Sequence, residues 1–414
     1  MIKSYQMGDF VMKKFFLWVL FICLLASAFG YILYRYNRMR AENQKYSAPT
    51  NINSIEIINV NELESRAASV IPRGGFDYIA GGAETEQTLR RNISAFDEID
   101  IVPRVLRGVD KPDLRTSVLG IDISLPVIIA PAAAHGLAHI SAEAGTARAA
   151  AEVDTIMAIS NYASSPLRDI AIAGGGAPQW FQLYLSKDDE FNREIVKQAE
   201  KLGMRAIVLT VDSPIGGNRF RDARNNFKFP LELPNVAKKS GDTKGQGISA
   251  IFAAAQNSFA FDTVQYVKSM TRLPIIVKGI QHPDDADVAI AAGADAIWVS
   301  NHGGRQLDGA PASIDVLPEI AARVNKRVPI IFDSGIRNGT HIFKAIAAGA
   351  DVVAIGRPVI YALSLGGWMG VVSLFDYLKQ DLSRVMTLAG AQTIQDIKNT
   401  QLRPKCMLVR CAEL

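Results

Sequence analysis

The sequence predicts a (β/α)8 TIM barrel preceded by a single N-terminal transmembrane helix. Three observations carry that prediction. Eight short apolar runs recur from residue 126 onward, helix-like stretches separate them, and polar or charged residues gather where the runs end. The runs are 126–130, 155–160, 180–185, 206–212, 274–279, 296–301, 329–333 and 352–356. They do not alternate polar and apolar, so both faces are expected to be buried, as in a parallel sheet. Helical patterns lie between them at 190–202, 284–292, 316–324 and 340–348. Three of these end in glycine, at Gly203, Gly293 and Gly349, where a left-handed residue closes a helix. Eight strand-helix units fit a barrel better than an open doubly wound sheet, because no GxGxxG follows the first strand.

In chain order, residues 1–14 read as an N-terminal tail with Lys13 and Lys14 at its end. Residues 15–34 carry no charge, and as a helix they would span about 30 Å, one bilayer core. Phe15, Trp18, Phe29, Tyr31 and Tyr34 place aromatics near both ends. A cleaved signal peptide is the competing reading, with Ala26-Ser27-Ala28 as its processing site. The apolar run continues to Tyr34, which favours a retained single-pass anchor, expected in a bacterial cytoplasmic membrane. Three Lys/Arg precede the run and four follow within residues 35–45, too even to orient it. Residues 35–55 read as a linker, 56–400 as the catalytic barrel and 401–414 as a tail. The connection 213–273 is more than twice the length of any other between strands, and it holds the apolar patch 248–255. At the active-site end such a loop is usually a lid.

Lys plus Arg total 45 and Asp plus Glu 41, a net charge of +4. Residues 1–45 hold seven of the basic and two of the acidic residues, so the remainder has 38 against 39. A folded domain with no basic excess argues against nucleic acid as partner. The three cysteines, Cys23, Cys406 and Cys411, form neither a disulfide framework nor a CxxC metal pair.

Barrel chemistry sits at the C-terminal ends of the strands. Those ends read Pro131-Ala132-Ala133, Ser160-Asn161-Tyr162, Gln182-Leu183-Tyr184, Thr210-Val211-Asp212, Lys278, Ser300-Asn301-His302, Asp333-Ser334-Gly335 with Arg337, and Gly356-Arg357. Of the five histidines, His302 alone ends an apolar strand, and Gly303-Gly304 and then Arg305 follow it. Arg305 is placed to hold a carboxylate through two parallel hydrogen bonds. His282 begins His282-Pro283-Asp284-Asp285 and reads as a helix start. No histidine pair has metal-ligand spacing, so no metal site is expected. Glycine and arginine after the last two strands suit a phosphate, held by guanidinium and by free N–H groups.

The segment Ser300-Asn301-His302-Gly303-Gly304-Arg305-Gln306-Leu307-Asp308 resembles the active-site signature of the FMN-dependent 2-hydroxy acid oxidases and dehydrogenases. The resemblance covers about residues 58–400. It is nearest to the L-lactate oxidase branch at 130–139, Gly217-Asn218-Arg219, 278–283 and 332–335. It implies FMN as cofactor and oxidation of a short L-2-hydroxy acid, L-lactate to pyruvate, with electrons passing to O2 or, alternatively, to a membrane quinone. It implies His302 as the base, Asp212 as the group stabilising its imidazolium, and Tyr184 on the reacting oxygen. Arg305, Arg219 and Tyr78 would bind the carboxylate, and Lys278 would face the reduced flavin ring. Ala132, Ala133, Ser160, Gln182, Thr210 and Ser300 would contact the flavin. Asp333, Ser334, Gly335, Arg337, Gly356 and Arg357 would hold its ribityl chain and phosphate. A homotetramer is the assembly the family suggests. The N-terminal span departs from the soluble oxidases, and quinone-reducing members use an insertion after the fourth strand instead.

Overall fold

Eight parallel strands close into a barrel in the computed structural model, which describes residues 18–33, 46–236 and 241–405. They are β1 (Val127–Ile129), β2 (Met157–Ser160), β3 (Gln179–Leu183), β4 (Ile207–Thr210), β5 (Ile275–Ile280), β6 (Ala296–Val299), β7 (Ile330–Phe332) and β8 (Val352–Ile355), with β8 pairing back onto β1. The helices that follow them are α1 (Ala142–Glu152), α2 (Leu167–Ala173), α3 (Asp189–Lys201), α4 (Phe261–Met270), α5 (Pro283–Ala291), α6 (Ser313–Val324), α7 (Gly339–Ala347) and α8 (Arg357–Ala389). Gly203, Gly293 and Gly349 are left-handed, as the sequence predicts. After α3, Gly203 N donates to Glu200 O and Met204 N to Ala199 O, closing orphan carbonyls of the last turn.

The barrel interior is a single apolar cluster. Ile128, Ala158, Trp180, Val208, Ile276, Trp298, Ile331 and Ala354 supply one residue from each strand. The rings of Trp180 and Trp298 meet edge to face at 6.4 Å. A hairpin of Thr116–Val118 and Ile121–Ile123 adds Val118, Ile121 and Ile123 to the same cluster. Side chains on a strand alternate with a period of two. The residues two positions further on therefore face the same way: Ala130, Ser160, Gln182, Thr210, Lys278, Ser300, Asp333 and Gly356. The floor of the candidate site follows directly from the register of the core.

Two boundaries differ from the sequence reading. Residues 48–55, expected as linker, belong to the barrel unit, which runs from Ala48 onward. They dock where α8 breaks at Gly366-Gly367, with Asn53 N donating to Gly366 O and Ile55 N to Ser373 Oγ. A Cβ on Gly366 would stand 2.2 Å from Asn53 O, so the docking requires glycine. At the other end, Leu402–Pro404 pairs antiparallel with Ile99–Ile101, so the fold continues past residue 400.

The N-terminal unit contains a helix over Trp18–Leu33 with apolar, exposed side chains. Its 16 described residues are fewer than the ~20 of a full bilayer span. Residues 15–17 and 34 of the expected span lie outside the described residues. Among the described residues, one helix is long and apolar enough to cross a membrane. It is α8, mostly buried in the barrel unit, where its apolar length is explained by core packing.

Candidate active site

The cavity at the C-terminal ends of the strands has an empty volume of about 1100 Å³, mouth included. His302 sits on its wall in a left-handed conformation, φ +58°, as do Gly303 and Gly304. Three such residues in succession turn the chain back sharply after β6. A non-glycine residue held there costs of order 1–3 kcal/mol, so the surroundings must impose it. They do: His302 N donates to Ser300 Oγ (3.0 Å), Gly303 N to Ser334 Oγ (3.1 Å) and Gly304 N to Asn301 Oδ1 (3.1 Å). Asn301 in turn exchanges two amide hydrogen bonds with Asn92.

The imidazole is fixed from both sides. Its Nδ1 lies 2.8 Å from Asp212 Oδ1 and its Nε2 3.2 Å from the Tyr184 hydroxyl. Ser213 Oγ also donates to Asp212 Oδ1, at 2.9 Å. Burial alone would raise the Asp212 carboxyl, but His302 and Lys278 outweigh it and hold it at about 2. Burial lowers His302 below its ordinary value against the opposing pull of Asp212, with Lys278 and Arg219 adding to the lowering. The result is a neutral ring donating from Nδ1 to a carboxylate, with the Nε2 lone pair toward Tyr184. Burial also raises the Tyr184 phenol well above its ordinary range, so its proton stays on.

Two guanidiniums face the same cavity. Arg219 and Arg305 lie 5.7 and 5.1 Å from the centre of the Tyr78 ring. Arg305 donates from Nη1 to the carbonyls of Tyr78 (2.8 Å) and Gly81 (2.7 Å). Arg357 donates to Ile79, Gly303 and Gly81 carbonyls. Both arginines are thus seated on the C-terminus of the helix Arg73–Ala80, whose last carbonyls lack helical partners and carry partial negative charge. Burial and the proximity of Arg219 hold Arg305 down at about 9.

Lys278 Nζ donates to Ser300 Oγ (3.0 Å) and lies 3.5 Å from Asp333 Oδ2. Ala132, Ala133, Ser160, Ser334, Gly335, Arg337, Gly356 and Arg357 line the cavity. Gln182, Thr210 and Ser300 are buried at the strand ends that form its floor, and Asp212 is half-buried behind His302. The strand-end residues that the sequence singled out are brought to this one end of the barrel. Arg357, expected on a phosphate, also staples the 303 turn to the Arg73–Ala80 helix. Asp308, part of the same signature as His302, caps the helix Gln87–Ser94, accepting from Thr88 N and from Thr85. Sequence reasoning missed Leu89, Asn92, Ile93, Phe252 and Ile360, which also line the cavity. Phe252 comes from the long connection, which folds inward so that its ring meets Tyr162 (5.0 Å) and Tyr184 (5.8 Å). The apolar patch 248–255 was the available signal for it.

The family model for FMN-dependent dehydrogenases matches residues 67–404. The chain belongs to that family. It is 50% identical to an L-lactate oxidase of Lentilactobacillus hilgardii over 86% of this chain and 97% of the relative. It is 40% identical to human 2-hydroxyacid oxidase 1 over 85% and 98%. Among solved structures it resembles a Pediococcus acidilactici protein described as a lactate oxidase, at TM-score 0.84 and 50% identity, covering 87% of this chain and 99% of that one. A mandelate oxidase bound to (S)-4-hydroxymandelic acid is similar at TM-score 0.81 and 36% identity, over 85% and 100%.

This FMN-dependent dehydrogenase family member is therefore a flavin oxidoreductase, and its cavity fits FMN. Gln182 Nε2 and Thr210 Oγ1 are buried in the floor without protein partners, as groups facing a polar ring system would be. At the other end, Arg337, Arg357 and the N-terminus of α8 gather positive charge for a phosphate. A Cβ on Gly356 would touch only Ala130, at 3.9 Å, so the backbone there is open to a close ligand.

Proposed function

We propose that the protein oxidises a short L-2-hydroxy acid, L-lactate to pyruvate, and passes the electrons to O2 to give hydrogen peroxide. One observation carries the reading: the His302–Asp212 pair and Tyr184 share a cavity with the paired guanidiniums of Arg219 and Arg305. The substrate carboxylate is held by Arg305 and Arg219 beside Tyr78. Tyr184 donates to the 2-oxygen, and His302 Nε2 takes the hydroxyl or α proton. Asp212 stabilises the imidazolium so formed. When bound, FMN supplies the two-electron acceptor for the α carbon. Ala132, Ala133, Ser160, Gln182, Thr210 and Ser300 contact its ring, and Lys278 lends positive charge where negative charge develops. Asp333, Ser334, Gly335, Arg337, Gly356 and Arg357 hold its ribityl chain and phosphate. The small side chain of Ala133 on the cavity wall suits a short substrate side chain such as methyl. The names of the oxidase relatives and the identity to them support lactate and oxygen.

The exposed apolar helix Trp18–Leu33 favours a second reading, a single-pass membrane protein that reduces a quinone. Tethering would raise the effective concentration of a membrane-confined acceptor. Peroxide and pyruvate measured together decide between the two. The oxidase reading expects about one peroxide per pyruvate in air. Reduced enzyme that persists for minutes in air, yet reoxidises at once with a soluble quinone, would establish the dehydrogenase.

A further inference from the structure

Arg219 and Arg305 put two buried positive charges beside the Tyr78 ring on one wall of the cavity. The substrate proposed above brings a single carboxylate. Asp222 lies one turn beyond Arg219, on the short helix Phe220–Arg224. Its side chain is 9% exposed and that of Arg219 6%. Their nearest charged atoms, Arg219 Nη1 and Asp222 Oδ2, are 4.0 Å apart. That is close enough for charge to be felt and too far for a hydrogen bond. Asp222 Oδ2, Arg219 Nη1 and Arg219 Nε all lack hydrogen-bond partners although buried. The neighbouring acid, Asp77, is already occupied, accepting from Arg73 (3.0 Å) and Asn225 (2.7 Å). Burial raises the Asp222 carboxyl against the pull of Arg305 and Arg219.

We propose that Asp222 is a specificity-determining residue: it balances one of the two guanidiniums by charge alone, leaving the Arg219 donors free, so that the clamp carries one net positive charge and selects monocarboxylates over dicarboxylates. A hydrogen-bonded carboxylate would compete with substrate for the same N–H groups. A carboxylate at 4.0 Å offsets the repulsion between the arginines without that competition. A monoanionic hydroxy acid then neutralises the clamp, and a dianion leaves an excess negative charge in a buried site, which is costly.

The inference rests on the reading that Arg219 and Arg305 hold the substrate carboxylate. The test uses the full-length holoenzyme at pH 8, where both carboxylic acids are fully ionised, and compares inhibition of L-lactate oxidation by propionate and by malonate. Wild type is expected to bind propionate more tightly than malonate, relative to the variant. Asp222→Asn is expected to shift the ratio toward malonate by about tenfold or more, because one unit charge at this range acts more strongly on a dianion. Asp222→Glu, which keeps the charge, should retain the wild-type ratio. Arg219→Gln, which lowers the clamp charge, should move the ratio the opposite way and decides the matter if Asp222→Asn loses its flavin. A ratio unmoved by the Asn or Gln change, or moved equally by Asn and Glu, overturns the inference. A wild type that neither oxidises L-lactate nor is inhibited competitively by propionate overturns the functional reading beneath it.

Discussion

Gly279 and Asp212 touch in a way only glycine permits. A Cβ on residue 279 would stand 2.6 Å from the Cβ of Asp212 and 2.9 Å from its backbone nitrogen, and Gly279 has φ +111°. The pairing of β5 with β6 shifts register between Lys278 and Ile280, so Gly279 lies at a local irregularity of the strand. The acid that holds His302 is thus positioned from the neighbouring strand. Gly279→Ala should push Asp212 off the imidazole and lower kcat by about 100-fold, since a displacement near 1 Å costs that much alignment. Steady-state kinetics on flavin-loaded protein checks it, and an unchanged kcat would show that the contact is not needed.

Arg305→Lys should weaken substrate binding and slow turnover together. The guanidinium spends Nη1 on the Tyr78 and Gly81 carbonyls, and the residue lines the cavity. Lysine keeps a charge but cannot do both. We expect KM to rise and kcat to fall, each by about tenfold or more. Separate measurement of the two constants at saturating oxygen checks this. Unchanged constants would remove Arg305 from the substrate.

Most of the site could be read from the sequence because barrel strands are short apolar runs whose last residues are polar. Ser160, Gln182, Thr210, Lys278, Ser300 and Asp333 each stand two residues beyond a core position, a local periodicity. Asn92, Leu89 and the helix Arg73–Ala80 could not be read that way. They precede the first barrel strand, and only the closed fold brings them against residues 301–305 and 335. Residues 48–55 look like a linker in composition, because their hydrogen bonds go to Gly366 O and Ser373 Oγ, more than 300 residues away.

The pH dependence follows from His302. Its pKa is lowered by burial, and the neutral ring is the active base. kcat/KM should therefore stay high as pH falls through the ordinary histidine value of about 6.5 and decline only below it. Asp212 opposes the lowering, so Asp212→Asn should move the acid limb to still lower pH while reducing the plateau. A pH profile of kcat/KM on both forms checks the sign, and a limb that moves upward contradicts it.

Removing residues 1–45 should leave a flavin-bound enzyme that needs no detergent. The barrel unit is compact from Ala48 onward, and the deleted segment contains the exposed apolar helix. Flavin absorbance and size-exclusion chromatography check it. Aggregated, colourless protein would mean that the N-terminal unit is required for the fold.

The central claim is that His302 is the base for oxidation of an L-2-hydroxy acid. Anaerobic mixing of the yellow holoenzyme with L-lactate tests it most directly, by following the loss of flavin absorbance in wild type and in His302→Ala. The account predicts rapid bleaching in wild type. In the variant it predicts flavin retained and bleaching slower by roughly 10²–10⁴-fold, the usual share of a positioned base. Bleaching of the variant at the wild-type rate, or no bleaching of wild type at all, would contradict it.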